Sequence, residues 1–130
     1  MRVLVTGRKA YRGEQTVRAV LHRLYHADPE MELLLPDTGA STRYARDWAK
    51  RYLCPWTQIG REENHDAGAY GQAQWWLAHK PDLVLLFGVG ATGRNLRLLA
   101  RAQGIPVTEP ALSRIDVSDL VLRARYGIAA

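Results

Sequence analysis

Apolar residues in this chain alternate between short continuous runs and longer stretches at helical spacing. Val3-Leu4-Val5 is a run of the kind that a strand covered on both faces requires. Gly13 to Ala27 follows as a helix, with Val17, Val20, Leu21 and Leu24 on one side, and Asp28-Pro29 ends it. Glu32 to Leu35 predicts a second strand, and Ala40 to Leu53 a second helix with Tyr44, Ala45, Trp48 and Ala49 on one face. Trp56 to Ile59 is a weaker third strand. Asp66 to His79 predicts a third helix, closed by Lys80-Pro81. Asp82 to Phe87 is the clearest strand, followed by a helix over Thr92 to Gln103 with Gly104 as its stop. Ile105-Pro106-Val107 begins a fifth strand, and Asp116 to Tyr126 predicts a last helix.

Strands alternating with helices of this length imply βαβ units and a parallel sheet with helices on both faces. The expected fold is α/β: one Rossmann-like, doubly wound domain over 1–130, with a mainly parallel sheet of about five strands. The chain shows no internal repeat, low-complexity segment or linker. Its 130 residues suit one core.

Composition narrows the setting. No apolar run is long enough to cross a membrane, and the opening residues lack the pattern of a signal peptide. Cys54 is the one cysteine and has no internal disulfide partner, so a reducing cytoplasm is the expected compartment. The net charge is +5, and 15 of the 18 basic residues are arginine. Arginine binds phosphate in bidentate fashion, but codon usage in a GC-rich genome produces the same excess. The arginines are dispersed, which favours the second explanation over a nucleic-acid surface.

Ligands of open α/β sheets bind beyond the carboxyl ends of the strands. Three strand ends carry glycine-bearing turns: Thr6-Gly7-Arg8-Lys9, Asp37-Thr38-Gly39-Ala40-Ser41 and Gly88-Val89-Gly90-Ala91-Thr92-Gly93-Arg94. Glycine lets backbone approach a ligand, and the helix that follows offers free amides to an anion. The candidate binding residues are Gly7, Arg8, Lys9, Thr38, Gly39, Ala40, Gly88, Gly90, Thr92, Gly93 and Arg94. Turns in α/β proteins need glycine for structural reasons too, and three together at strand ends make the case. Gly88, Gly90 and Gly93 spell G-x-G-x-x-G between a strand and a helix, with Glu109 placed 21 residues on, where a ribose hydroxyl could be held. A dinucleotide domain would then run in reversed order, which counts against it.

The same segments resemble the SLOG superfamily in its YspA-like branch. Met1 to Gly7 is similar to the opening M-R-V-L-V-T-G-S-R. Thr38-Gly39-Ala40 to Trp48-Ala49 is similar to G-G-A-x-G-A-D-x-x-A-x-x-W-A. Ala67-Gly68 fall on the A-G before P-x-R-N. Asp82 to Val107 resembles D-L-V-V-A-F-P-G-G-x-G-T and the helix after it. The resemblance covers roughly residues 1 to 107. It implies a Rossmann-like fold that binds nucleotides or their derivatives. Some relatives hydrolyse nucleoside monophosphates, one binds single-stranded DNA, and others act in conflicts between phage and host. The chain departs from the pattern at the site: Gly88 to Gly93 replaces P-G-G-x-G-T, Asn95 stands at an acidic position, and Gly71-Gln72 stand for R-N. Arg8-Lys9 keep a cation at S-R. No catalytic residue is therefore assigned.

The remaining features have plain structural roles as rivals to any function. His22 and His26 share a helix face but lack a third ligand, so no metal is expected. His65 could be a base but reads more simply as a loop residue. Trp75 and Trp76 point about 100° apart on one helix; with Tyr70, the outer one would serve a homo-oligomer, a dimer or tetramer. Cys54 reads as a buried, inert thiol. The leading expectation is a phosphate-bearing nucleotide-type ligand held by a sensor, a sequestering protein or a degenerate enzyme, with no cofactor and no membrane partner. The rivals are an active phosphoribohydrolase, a single-strand nucleic-acid binder, and a protein-interaction module that keeps only the fold.

Overall fold

A computed structural model describes residues 1–36, 39–60, 68–110 and 117–126, with side chains in the last segment described from Leu120 on. The elements run β1 (Arg2–Gly7), α1 (Glu14–Ala27), β2 (Glu32–Pro36), α2 (Ala40–Tyr52), β3 (Trp56–Ile59), α3 (Gly68–Leu77), β4 (Leu83–Phe87), α4 (Ala91–Ala102), β5 (Val107–Thr108) and α5 (Val117–Tyr126). The fold is α/β, with a five-stranded, all-parallel sheet in the order β3-β2-β1-β4-β5. This is the doubly wound Rossmann-like arrangement that the alternation of runs predicts.

Strand pleating divides the core in two. Val3 and Val5, Leu33 and Leu35, and Leu83, Leu85 and Phe87 face α1, α2 and α5. Leu4, Leu34, Val84 and Leu86 face the other way and pack with Ala73, Trp76 and Leu77 of α3 and Leu96 and Ala100 of α4. All five residues of β4 are buried, which explains why its run is so legible. β3 lies at an edge, and its exposed Thr57 and Gln58 account for its weaker pattern.

Element ends differ from the sequence expectation for local reasons. α2 stops at Tyr52 because Leu53 takes a left-handed conformation (φ 55°) as its cap, and the Cys54 amide donates back to the Ala49 carbonyl at 3.0 Å. β5 starts later than expected. Pro106 has no N–H to contribute to a ladder, although its carbonyl accepts from the Val84 amide at 3.0 Å. α3 ends at Leu77, and Lys80 (φ 56°) turns the chain into β4. Asp66 and Asp116, the expected first residues of the third and last helices, lie outside the described residues.

Strand order positions the site. The chain winds outward from β1 through β2 to β3, then returns through α3 to lay β4 on the opposite side of β1. The direction of winding reverses between β1 and β4. At such a switch point the flanking helices diverge to opposite faces and leave a crevice beyond the strand ends.

Candidate functional site at the sheet switch point

β1 and β4 approach each other closely at their carboxyl ends. Gly7 pairs with Phe87, and the Arg8 amide extends the ladder by donating to the Phe87 carbonyl at 3.0 Å. The three glycine turns then meet in strand order. On one side, the Ala40 amide at the start of α2 donates to the Lys9 carbonyl at 3.1 Å. On the other, Gly88 adopts φ +82°, and a Cβ there would lie 3.0 Å from that of Arg8. The β1 turn is thus clamped between the other two.

A cavity of about 430 Å³ opens among them, lined by Thr6, Gly7, Arg8, Lys9, Gly39, Trp76 and the segment Gly90 to Gly93. Its volume falls within the range of roughly 300–1,000 Å³ typical of small-molecule sites. Of the residues expected from sequence, Gly7, Arg8, Lys9, Gly39, Gly90, Thr92 and Gly93 come together on this wall. Ala40, Gly88 and Arg94 do not line it. Ala40 and Gly88 instead hold the neighbouring turns in place, and the Arg94 amide makes the first helical bond of α4, to Gly90 at 3.0 Å. Thr38 lies outside the described residues, as do His65 and Asp66. Glu109, the expected ribose holder, is ion-paired with Arg97 of α4.

Among the described residues, the groups at the mouth of the cavity are backbone donors and cations. α4 has Gly90 as its cap, without a side-chain hydrogen bond and without an acidic residue in its first turn. Because Arg94 makes the first helical bond, the amides of Ala91, Thr92 and Gly93 have no intrahelical acceptor. α2 likewise starts at Gly39, with no side-chain cap among the described residues and no acidic residue in its first turn. By contrast, α1 carries Glu14 in its first turn, which offsets the positive end of its own dipole. Arg8 and Lys9 are exposed beside the two uncompensated ends.

Three lining residues are absent from the set that the sequence suggests: Ala91 at the start of α4, Thr6 and Trp76. Thr6 shares its strand face with Leu4 and so points toward α3 and α4, a placement available from the period of two. Trp76 enters the core from α3, 5% exposed, and lines the cavity, yet its indole N–H has no hydrogen-bond partner among the described residues. Its neighbour Trp75 is half-buried against the same core and donates its N–H to the Gly60 carbonyl. Tyr70 is the exposed aromatic of that helix.

The other candidate groups take structural places. His22 packs edge-on against Tyr52, and among the described residues no group of His, Cys, Asp and Glu is arranged to hold a metal. Asn95 donates its side-chain amide to the Ala91 carbonyl within α4. Cys54 is buried, with its thiol 3.4 Å from the Met31 carbonyl, and burial together with the nearby Glu32 charge pushes its pKa up to about 11. No helix among the described residues is long and apolar enough to cross a membrane. No protein-family model, curated protein or solved structure matches the chain.

Proposed function

We propose that the protein binds a phosphate-bearing, nucleotide-type ligand in the crevice between β1 and β4. The observation that carries this reading is the meeting of two uncapped, acid-free helix ends with Arg8 and Lys9 around one cavity of about 430 Å³. Free amides and dipole ends favour an oxyanion, and the two cations add a charge that steers it. Thr6, Thr92 and the Trp76 indole offer hydroxyls and an aromatic wall to the organic part of such a ligand. The SLOG resemblance points to the same ligand class.

The described lining supports binding over catalysis. Its described side chains are hydroxyls, cations and an indole, whereas cleaving a glycosidic bond calls for a group that can move a proton near the sugar. Sensing or sequestration is therefore favoured over hydrolysis. The exposed Tyr70 on α3 is the surface to examine for self-association in a dimer or tetramer.

A thermal-shift screen with mononucleotides, dinucleotides, cyclic nucleotides, NAD and ADP-ribose tests the reading. A ligand at about 100 times its Kd should add roughly 2.7 kcal/mol of stability. Lys9→Ala should reduce the shift, most visibly at low salt. Unchanged melting with every nucleotide would leave the fold without this function.

A further inference from the structure

Trp76 presents a buried donor without an acceptor at the wall of an open cavity. The residue is only 5% exposed, and its Nε1 has no hydrogen-bond partner among the described residues. Buried polar groups in folded proteins are nearly always paired, because an orphaned donor forfeits its hydration. Trp75, one residue away, has its N–H satisfied by the Gly60 carbonyl, whereas the buried Trp48 Nε1 is likewise unpaired among the described residues. What sets Trp76 apart is its place on the wall of the cavity beside the phosphate-binding turns. An aromatic ring could fill the α3 side of the core without any N–H, so the core itself does not require a tryptophan at position 76.

The cavity is also larger than an anion alone needs. At about 430 Å³ it lies in the range of roughly 300–1,000 Å³ found for sites that hold organic ligands. The amides at the start of α4 and the cations of the β1 turn account for a phosphate. They leave the indole and Thr6 to meet something else.

We propose that the site selects a phosphate monoester with an organic body over inorganic phosphate, and that Trp76 is the residue that reads that body. Its indole face flanks the guest, and its Nε1–H donates to an oxygen or ring nitrogen of it. The acceptor belongs to the sugar or the base, and comparison of ribose 5-phosphate with AMP separates the two. This inference rests on the phosphate-site reading above and adds the determinant of selectivity.

The test follows the Trp76 indole N–H by two-dimensional ¹H–¹⁵N NMR, assigned in the unmodified protein, during titration with inorganic phosphate, ribose 5-phosphate, AMP and adenosine. AMP, or both phosphate esters, should move the Trp76 resonance downfield, while inorganic phosphate shifts backbone amides at Ala91 to Gly93 and leaves the indole in place. Trp76→Phe should weaken ester binding about tenfold, the loss of one hydrogen bond, and leave inorganic phosphate binding unchanged. Ester binding that saturates without moving the indole resonance overturns the role of Trp76 alone, and it does so whether or not the variant folds. Equal ester affinity in Trp76→Phe does the same. If none of the four probes binds, the phosphate-site reading falls, and this inference falls with it.

Discussion

Gly7 lies so close to Phe87 that a Cβ on the glycine would sit 2.1 Å from the Phe87 carbonyl oxygen. The obstacle is backbone of β4, an interior strand of the sheet, which cannot swing aside as a side-chain tip could. Gly7→Ala must therefore separate β1 from β4 at their carboxyl ends, beside the cavity. Forced overpacking costs about 1–3 kcal/mol, and the upper end applies here because the clash is with a rigid partner. Urea unfolding should show a lowered midpoint. An unchanged midpoint would mean that the two strands are not held at this spacing.

Gly90 behaves in the opposite way. Its backbone is extended (φ −115°), and a Cβ there would meet nothing within 4 Å. The fold does not need a glycine at this position, and open space on the cavity wall is what the glycine provides. Gly90→Val puts a poor capping residue at the start of α4 and should cost on the order of 1 kcal/mol of stability, leaving the protein folded while filling part of the site. Nucleotide affinity measured by calorimetry should fall by about 1–3 kcal/mol, the cost of overpacking a fitted contact. Equal affinity in the two proteins would place the ligand elsewhere.

The contrast between Gly7 and Gly90 also shows what a sequence can reveal. The alternation of runs and helices is readable because strands covered on both faces are apolar throughout, as in Leu83 to Phe87. The glycine turns are readable because turns demand glycine. Which side of each turn opens onto a cavity is not, because that depends on β4 returning beside β1, a long-range pairing that local periodicity does not encode. For this reason the sequence groups Ala40, Gly88 and Arg94 with residues that line the cavity and gives no sign of Trp76 there. The face of α3 that meets the sheet is set by docking, and adjacent tryptophans do not disclose which of them turns inward.

Cys54 gives a prediction about reactivity. Burial raises its pKa from the ordinary 9.0 to about 11, and the neighbouring Glu32 charge adds to the effect. A rise of that size leaves roughly a hundredfold less thiolate at a given pH below 9. The native thiol should react with Ellman's reagent at pH 8 at least that much more slowly than the thiol of the urea-unfolded chain. Because the folded pKa is the higher one, the stability linked to the neutral thiol is fully present below pH 9 and is lost as pH rises through about 11. Rapid labelling of the native protein would show that the segment between α2 and β3 opens.

Asp28 predicts the acid limb. It is buried at the end of α1, 3.0 Å from the Met1 ammonium, and accepts the Glu30 amide at 3.3 Å and Arg125 of α5 at 3.5 Å. Burial alone would raise its pKa. The hydrogen bond and charge of the ammonium, then the Glu30 amide and Arg125, outweigh burial and hold it below the usual 3.8. A carboxyl whose folded pKa is depressed contributes stability that is complete above its unfolded pKa and is lost as pH falls through the folded one. Asp28→Asn should cost on the order of 3 kcal/mol at pH 7, because it leaves a buried ammonium without its partner. Arg125 is half-exposed, so its share is screened and small. The difference between parent and variant should hold constant from pH 7 to about 5 and shrink steadily below pH 3.8. Chemical unfolding at a series of pH values measures it, and a difference that persists undiminished into strong acid would show that Asp28 acts through packing and not through its charge.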